Sequence, residues 1–166
     1  MVKILIPVLL TLALAANPAY PKWPNQFTQD FKETNTYPIL GSNTNTGTMI
    51  YDFTNGAYRI DRSNGRYDRF CGLNGTKMFE DTPCSHIVVD DKRYLYYSEH
   101  DECCFCCSGK ACGLVRPDWL FDAEFLGTTT YNDQPAYIWN QMGGQSNLYY
   151  ETAETNPLDR VMLDIN

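Results

Sequence analysis

Seven cysteines, at positions 71, 84, 103, 104, 106, 107 and 112, offer the densest chemistry in this chain. Thiols at that density either pair as disulfides on an export route or hold a soft metal as thiolates. Neighbours such as Cys103 and Cys104 do not bond each other without strain, because their side chains diverge. Each member of the Cys103-Cys104-x-Cys106-Cys107 block is therefore expected to reach elsewhere, tying several strands together. The spacing does not choose among the many pairings that Cys71, Cys84, Cys103, Cys104, Cys106, Cys107 and Cys112 allow. An odd count leaves one cysteine over: free, joined to a second copy in a homodimer, or matched to a cysteine outside this sequence. The competing reading, zinc or copper(I) on paired thiolates, would recruit His100 just upstream of the block. An oxidising lumen and the lack of a second dense cluster weigh for disulfides, so no metal ligands are assigned.

Other reactive combinations are sparse. Hydrolysis by a nucleophile needs a base and an orienting acid, and only His86 and His100 could be that base. The segment Gly144-Gln145-Ser146-Asn147-Leu148 begins like a nucleophile elbow but lacks its closing glycine. Asp122 and Glu124 could form a carboxylate pair of the glycosidase kind, yet they also read as a solvated face beside Trp119. No phosphate-binding glycine loop, calcium-hand loop or dinucleotide fingerprint occurs. No catalytic residue is assigned, and a hydrolase is kept only as a third reading. Asn74-Gly75-Thr76 is the one glycosylation sequon, in a loop between Cys71 and Cys84.

The elements that must position these groups begin with an export signal. Lys3 precedes an apolar stretch from Ile4 to Ala16, and Ala13-Leu14-Ala15 has the small-x-small form of a cleavage site. Residues 1–16 read as a signal peptide, followed by a single β domain over 17–166 that is secreted or held in a secretory-pathway lumen. Cleavage removes one lysine and no acid, taking the formal charge from −7 to −8. Such an acidic surface repels phosphate backbones, so no nucleic-acid partner is expected. It would accept calcium, although no cofactor is assigned. No later segment is apolar enough for stable membrane insertion. The alternation over Arg160–Asn166 reads as a strand stopped midway, which favours the third option, a longer chain that carries one more cysteine.

Between these ends the pattern is strand, turn, strand. Asn55-Gly56 separates the alternating runs 48–53 and 57–62, and Asn64-Gly65 is expected to turn into another strand over Tyr67–Cys71. Further hairpins are expected across Asp90-Asp91 and Asn132-Asp133, and around Gly143-Gly144. Residues 26–33 fit either a strand or a short helix, and Pro117–Ala123 is the best candidate for a helical turn. The fold class is mainly β: a curved antiparallel sheet or half-barrel of about eight to ten strands with one or two short helices, braced by disulfides. The 23 Phe, Trp and Tyr residues exceed what a surface needs, and twelve are tyrosines, which suit walls half apolar and half wet.

One series of blocks resembles a known family. It comprises Ile50-Tyr51-Asp52-Phe53, Arg59-Ile60-Asp61-Arg62, the spaced Cys71 and Cys84, and the cysteine block through Cys112-Gly113. It continues with Pro117-Asp118-Trp119-Leu120, then Tyr137 and Trp139, then Asn147-x-Tyr149-Tyr150-Glu151. Together these resemble small secreted proteins of protists and plants that are themselves distantly similar to the ependymin-related proteins. The resemblance covers about residue 25 to the end. It implies a fold of the lipoprotein-carrier type: a strongly curved sheet closed on one side by short helical segments, with an apolar ligand in its concave face. It also implies secretion, glycosylation and association with calcium. The dense cysteine block departs from ependymins, so no pairing is carried over. The function expected is non-enzymatic binding of an apolar small molecule or lipid, with Trp119, Tyr137 and Trp139 as pocket wall. The alternative is an extracellular structural or surface-coat protein, associating through the odd cysteine or calcium.

Overall fold

The computed structural model describes residues 16–37, 41–72, 75–110, 112–142 and 146–165. Residues up to Ala15, on which most of the expected signal peptide falls, the sequon asparagine Asn74, and Gly143 and Gly144, where a turn is expected, lie outside the described residues. The described chain is mainly antiparallel β, in two sheets, neither of which closes into a barrel. Residue contacts divide it into two compact units. One is Lys22–Trp119; the other combines Leu120–Asn166 with the N-terminal segment that ends at Pro21.

The larger unit is a six-stranded meander in chain order. Its strands are β1 (Gln26–Tyr37), β2 (Gly41–Asp52), β3 (Ala57–Arg62), β4 (Cys84–Val89), β5 (Lys92–Tyr97) and β6 (Glu102–Ser108). The turn chemistry explains the meander. Gly56 takes a φ of +67°, and the Asp52 carboxylate caps that turn by accepting from the Asn55 backbone N–H at 3.0 Å. Asp90 and Asp91, at φ +50° and +56°, make the β4–β5 turn from two left-handed residues, the form that matches strand twist. Residues 26–33, which fitted strand or helix, are strand, paired along their whole length with β2.

The second Asn-Gly signal, at Asn64-Gly65, does not make a hairpin. The described residues between 63 and 83 form a looping cover and contain no strand. Two side chains draw the backbone there into local turns. Asn64 Oδ1 accepts from Arg66 N, and Asp68 Oδ1 accepts from Phe70 N and Cys71 N. Gly65 serves packing: a Cβ on it would stand 2.8 Å from the Cβ atoms of both Cys71 and Cys84. The Cys71–Cys84 disulfide then ties the loop to β4. Beneath it lie Leu95 and Tyr97, with Phe70, Cys104 and Cys106 packed alongside.

At the other end of this unit Trp23 meets Phe27, Tyr51 and Trp119 edge-on at 5.5–5.8 Å. The Tyr51 hydroxyl donates to the Val115 carbonyl at 2.7 Å, and burial with Asp118 nearby pushes its pKa up to about 12. The expected helical turn over Pro117–Ala123 is a pair of hydrogen-bonded turns, Trp119 N to Arg116 O and Ala123 N to Leu120 O.

The smaller unit is a four-stranded antiparallel sheet ordered β7 (Glu124–Tyr131), β8 (Gln134–Met142), β9 (Ser146–Thr152) and β10 (Met162–Ile165). Asn132 and Asp133, both at positive φ, make its first turn. A short 3-10 turn, Pro157–Asp159, precedes β10; Asn156 caps it by accepting from the Leu158 N–H. Its core is polar at the centre. The Trp139 indole N–H and Arg160 Nη1 both donate to Glu151 Oε1, at 2.9 and 2.8 Å. Arg160 also donates to the carbonyls of Ala19 and Glu154 and lies over the Tyr137 ring, so one guanidinium ties the N-terminal segment to the sheet. Burial raises the Glu151 carboxyl, against the pull of Arg160 and Trp139.

Candidate functional site

Strand alternation gives the β4–β6 half of the larger sheet two different faces. Cys84, His86 and Val88 on β4, Arg93, Leu95 and Tyr97 on β5, and Cys104 and Cys106 on β6 point to the side covered by residues 63–83. The opposite side carries Ile87, Val89, Tyr94, Tyr96, Cys103 and Phe105.

The covered side holds a buried polar chain. Arg93 Nη1 lies 2.9 Å from His86 Nδ1, and His86 Nε2 lies 2.7 Å from Asp68 Oδ1. A guanidinium can only donate, so Nδ1 accepts and Nε2–H donates to the carboxylate. Arg93 also donates to the Tyr58 hydroxyl at 2.5 Å and covers the Phe70 ring at 3.9 Å. Arg62 closes the cluster, 3.5 Å from Asp68 Oδ2 and 2.7 Å from Glu33 Oε1. Two guanidiniums thus balance two carboxylates, and His86 is neutral. Burial, with Arg62 and Arg93 nearby, holds its pKa below the ordinary value despite Asp68. Burial alone would raise Asp68; its hydrogen bond from His86 and the charge of Arg62 outweigh that and hold it well below the carboxylate range.

This arrangement fixes what His86 can do. Asp–His pairs serve catalysis when the second ring nitrogen faces a nucleophile. Here that nitrogen faces two arginines, so its lone pair is not presented to a nucleophile. Asp68, Cys71 and His86 also place one donor atom each within 4.8 Å of one another, the spacing of a metal site. The donor set does not fit a cation. Cys71 Sγ is spent in the bridge to Cys84, and metal on Nε2 would oblige Nδ1 to carry a proton against Arg93. The cluster is a clamp that fastens the 63–83 loop to the sheet.

The open side is apolar at its centre, with the exposed Lys92 opposite Val89 at one end. Ile87, Tyr94 and Phe105 align across three strands, as do Ser85, Tyr96 and Cys103. Phe105 is 58% exposed and its ring meets Tyr94 at 5.8 Å; Val89 is exposed, and Tyr94, Tyr96 and Ile87 are half-buried. The charged neighbours on β3, Arg59 and Asp61, form an ion pair at 2.7 Å, and Asp61 also accepts from the Ser85 hydroxyl. Exposed contiguous apolar side chains of this kind mark contact surfaces.

The cysteines divide differently from three bridges and one remainder. Cys71–Cys84 and Cys107–Cys112 are disulfides, while Cys103, Cys104 and Cys106 are thiols. The cysteine block is one strand, β6, and its only bridge is local, closing the 107–112 turn; it does not knot several strands. Cys104 and Cys106 are half-buried, and burial raises both thiols. Of the residues expected to wall a pocket, Trp119 belongs to the larger unit, where it packs on Trp23. Tyr137 and Trp139 belong to the smaller; Trp139 is fully buried between Phe125, Tyr20 and Glu151. These three do not gather within either unit. His100 is exposed, 3.6 Å from Glu80, and Asp122 and Glu124 are exposed, with Asp122 accepting from Gln141. No helix among the described residues is long and apolar enough to cross a membrane.

The sequence reading missed the clamp and the open face. The second had a signal: Tyr94, Leu95, Tyr96 and Tyr97 are large on both faces of one strand, which is not the pattern of a half-solvated sheet. No protein-family model and no curated protein matches this chain.

Proposed function

We propose that this protein is a non-enzymatic binding protein of an oxidising, secretory compartment that takes apolar, lipid-like ligands on the open face of β4, β5 and β6. The observation that carries the reading is the contiguous row of Ile87, Val89, Tyr94, Tyr96 and Phe105 on a sheet whose other face is already filled. The resemblance to ependymin-related proteins suggests the same class of ligand but a concave site. Here the covered face is filled by the clamp and the 63–83 loop, which favours the opposite one. The two bridges suit an oxidising lumen, and glycosylation at Asn74 belongs to the same proposal.

Covering the exposed part of one phenylalanine is worth about 1–2 kcal/mol, or about tenfold in affinity. Titration of the secreted protein with a fluorescent fatty acid tests this. Phe105→Ser should weaken binding about tenfold, while Trp139→Phe, in the other unit, leaves it within twofold. Equal affinity for wild type and Phe105→Ser would remove this face from the site. The structural reading keeps one favouring observation, the exposed thiol of Cys103 within that same face.

A further inference from the structure

We propose that two copies of this chain pair through their β1 strands, antiparallel, about a two-fold axis at Phe31. The pairing goes beyond ligand binding and uses the opposite end of the larger sheet, so the open face of β4–β6 stays uncovered.

Among the described residues four strands end the two sheets, and three of them are blunted. β6 bulges between its pairings with Arg93 and Tyr94, β7 bulges between Phe125 and Gly127, and β10 is four residues long with a shifted register. β1 differs. It runs for twelve residues without a proline or a bulge, paired with β2 throughout, and no strand lies on its other side. The Asn25 carbonyl accepts from the Phe53 N–H at 2.8 Å, which sets the phase of the ladder. Odd-numbered residues of β1 therefore bond to β2, and even-numbered ones turn N–H and C=O to the free edge. Thr28, Asp30, Lys32 and Thr34, the central residues of that edge, are all exposed. An unpaired edge of this length is a template for another strand.

The side chains choose the partner and the register. The charged residues of β1 are Asp30, Lys32 and Glu33. A lysine on an edge ordinarily deters pairing, but here an aspartate stands two residues before it. A two-fold axis at Phe31 sets Asp30 of each copy opposite Lys32 of the other, Thr28 opposite Thr34, and Gln29 opposite Glu33. Two ion pairs form together, while Asp30 meets Asp30, and Lys32 meets Lys32, only across the longer diagonals. Arg62 and Asn45 already hold the Glu33 carboxylate within each copy. Phe31 faces Phe31 on the axis as a non-hydrogen-bonded pair, the kind whose side chains stand closer. A slip of two residues would instead set Asp30 against Asp30 or Lys32 against Lys32, so one register is selected.

Pairing from Thr28 to Thr34 supplies about eight ladder bonds between the copies. The contact is small, which places its dissociation constant at about 1–100 μM.

The test is sedimentation velocity on the full secreted chain over a concentration series. At about 0.15 M salt, repulsion between two acidic chains is screened beyond about 8 Å while the adjacent pairs persist. Wild type should pass from monomer to dimer as concentration rises. Asp30→Lys and Lys32→Asp should each weaken the dimer by about tenfold or more, and the two changes together should restore it to within about threefold. Thr28→Pro removes an outward N–H and no bond to β2, and should weaken the dimer about tenfold. Wild type that stays monomeric at about 0.5 mM would overturn the proposal. So would a dimer indifferent to Lys32→Asp or Thr28→Pro, or a doubly exchanged chain that fails to pair.

Discussion

Acidification should loosen the 63–83 loop, and His86 sets where. Its ring is faced by Arg62 from β3, Arg93 from β5 and Asp68 from the loop; Arg93 also holds the Tyr58 hydroxyl, and Cys106 of β6 lies near the Arg93 and Asp68 charges. Protonating His86 would place a third cation in a cluster whose charges now cancel. Because the folded state holds the His86 pKa below its ordinary 6.5, the folded protein resists taking up the proton that the unfolded chain accepts. The stabilisation is therefore complete above about pH 6.5 and declines as pH falls from there towards the folded value. Across that interval the slope approaches about 1.4 kcal/mol per pH unit for this one group. Asp68 adds a second loss below its ordinary 3.8, since its folded pKa is depressed too. The assay is urea unfolding under non-reducing conditions at half-unit pH steps from 8 to 4. His86→Gln can donate towards Asp68 and accept from Arg93 but cannot ionise, so its profile should be flat between pH 6.5 and 5. His86→Ala should lose about 3 kcal/mol at pH 7 by leaving Asp68 and Arg93 short of a partner. A wild-type profile flat through pH 5, or a slope that survives in His86→Gln, would refute the reasoning.

Two further outcomes follow from the same contacts. Replacing Cys71 and Cys84 together by alanine removes the closure of a 13-residue separation, and should cost about 3 kcal/mol in denaturant unfolding while raising loop proteolysis within 63–83. Glu151→Ala strands the buried Arg160 guanidinium and Trp139 indole, and should cost about 3 kcal/mol, read as a lowered thermal midpoint.

The residues differ in how plainly they announce their roles. Asn55-Gly56, Asp90-Asp91 and Asn132-Asp133 are short-range signals, since positive φ is a property of the turn residues themselves, and each hairpin followed. Asn64-Gly65 carries the same signal but obeys a longer-range constraint, the bridge from Cys71 to Cys84 that needs a residue without a Cβ beneath it. The clamp was not legible because its members come from four separate places: Arg62, Asp68, His86 and Arg93. Each alone is an ordinary strand or loop residue, and only strand register brings them together. The division of the cysteines was hidden for the same reason. Which face of β6 each thiol takes depends on the bulge between its pairings with Arg93 and Tyr94.

The most direct test of the central claim is the affinity of the secreted protein for a fluorescent fatty acid, compared between wild type and Phe105→Ser at pH 7.5. The account predicts saturable binding that weakens about tenfold in the variant, with an unchanged thermal midpoint because Phe105 is exposed. Saturable binding of equal strength in both proteins, or none in either, would contradict it.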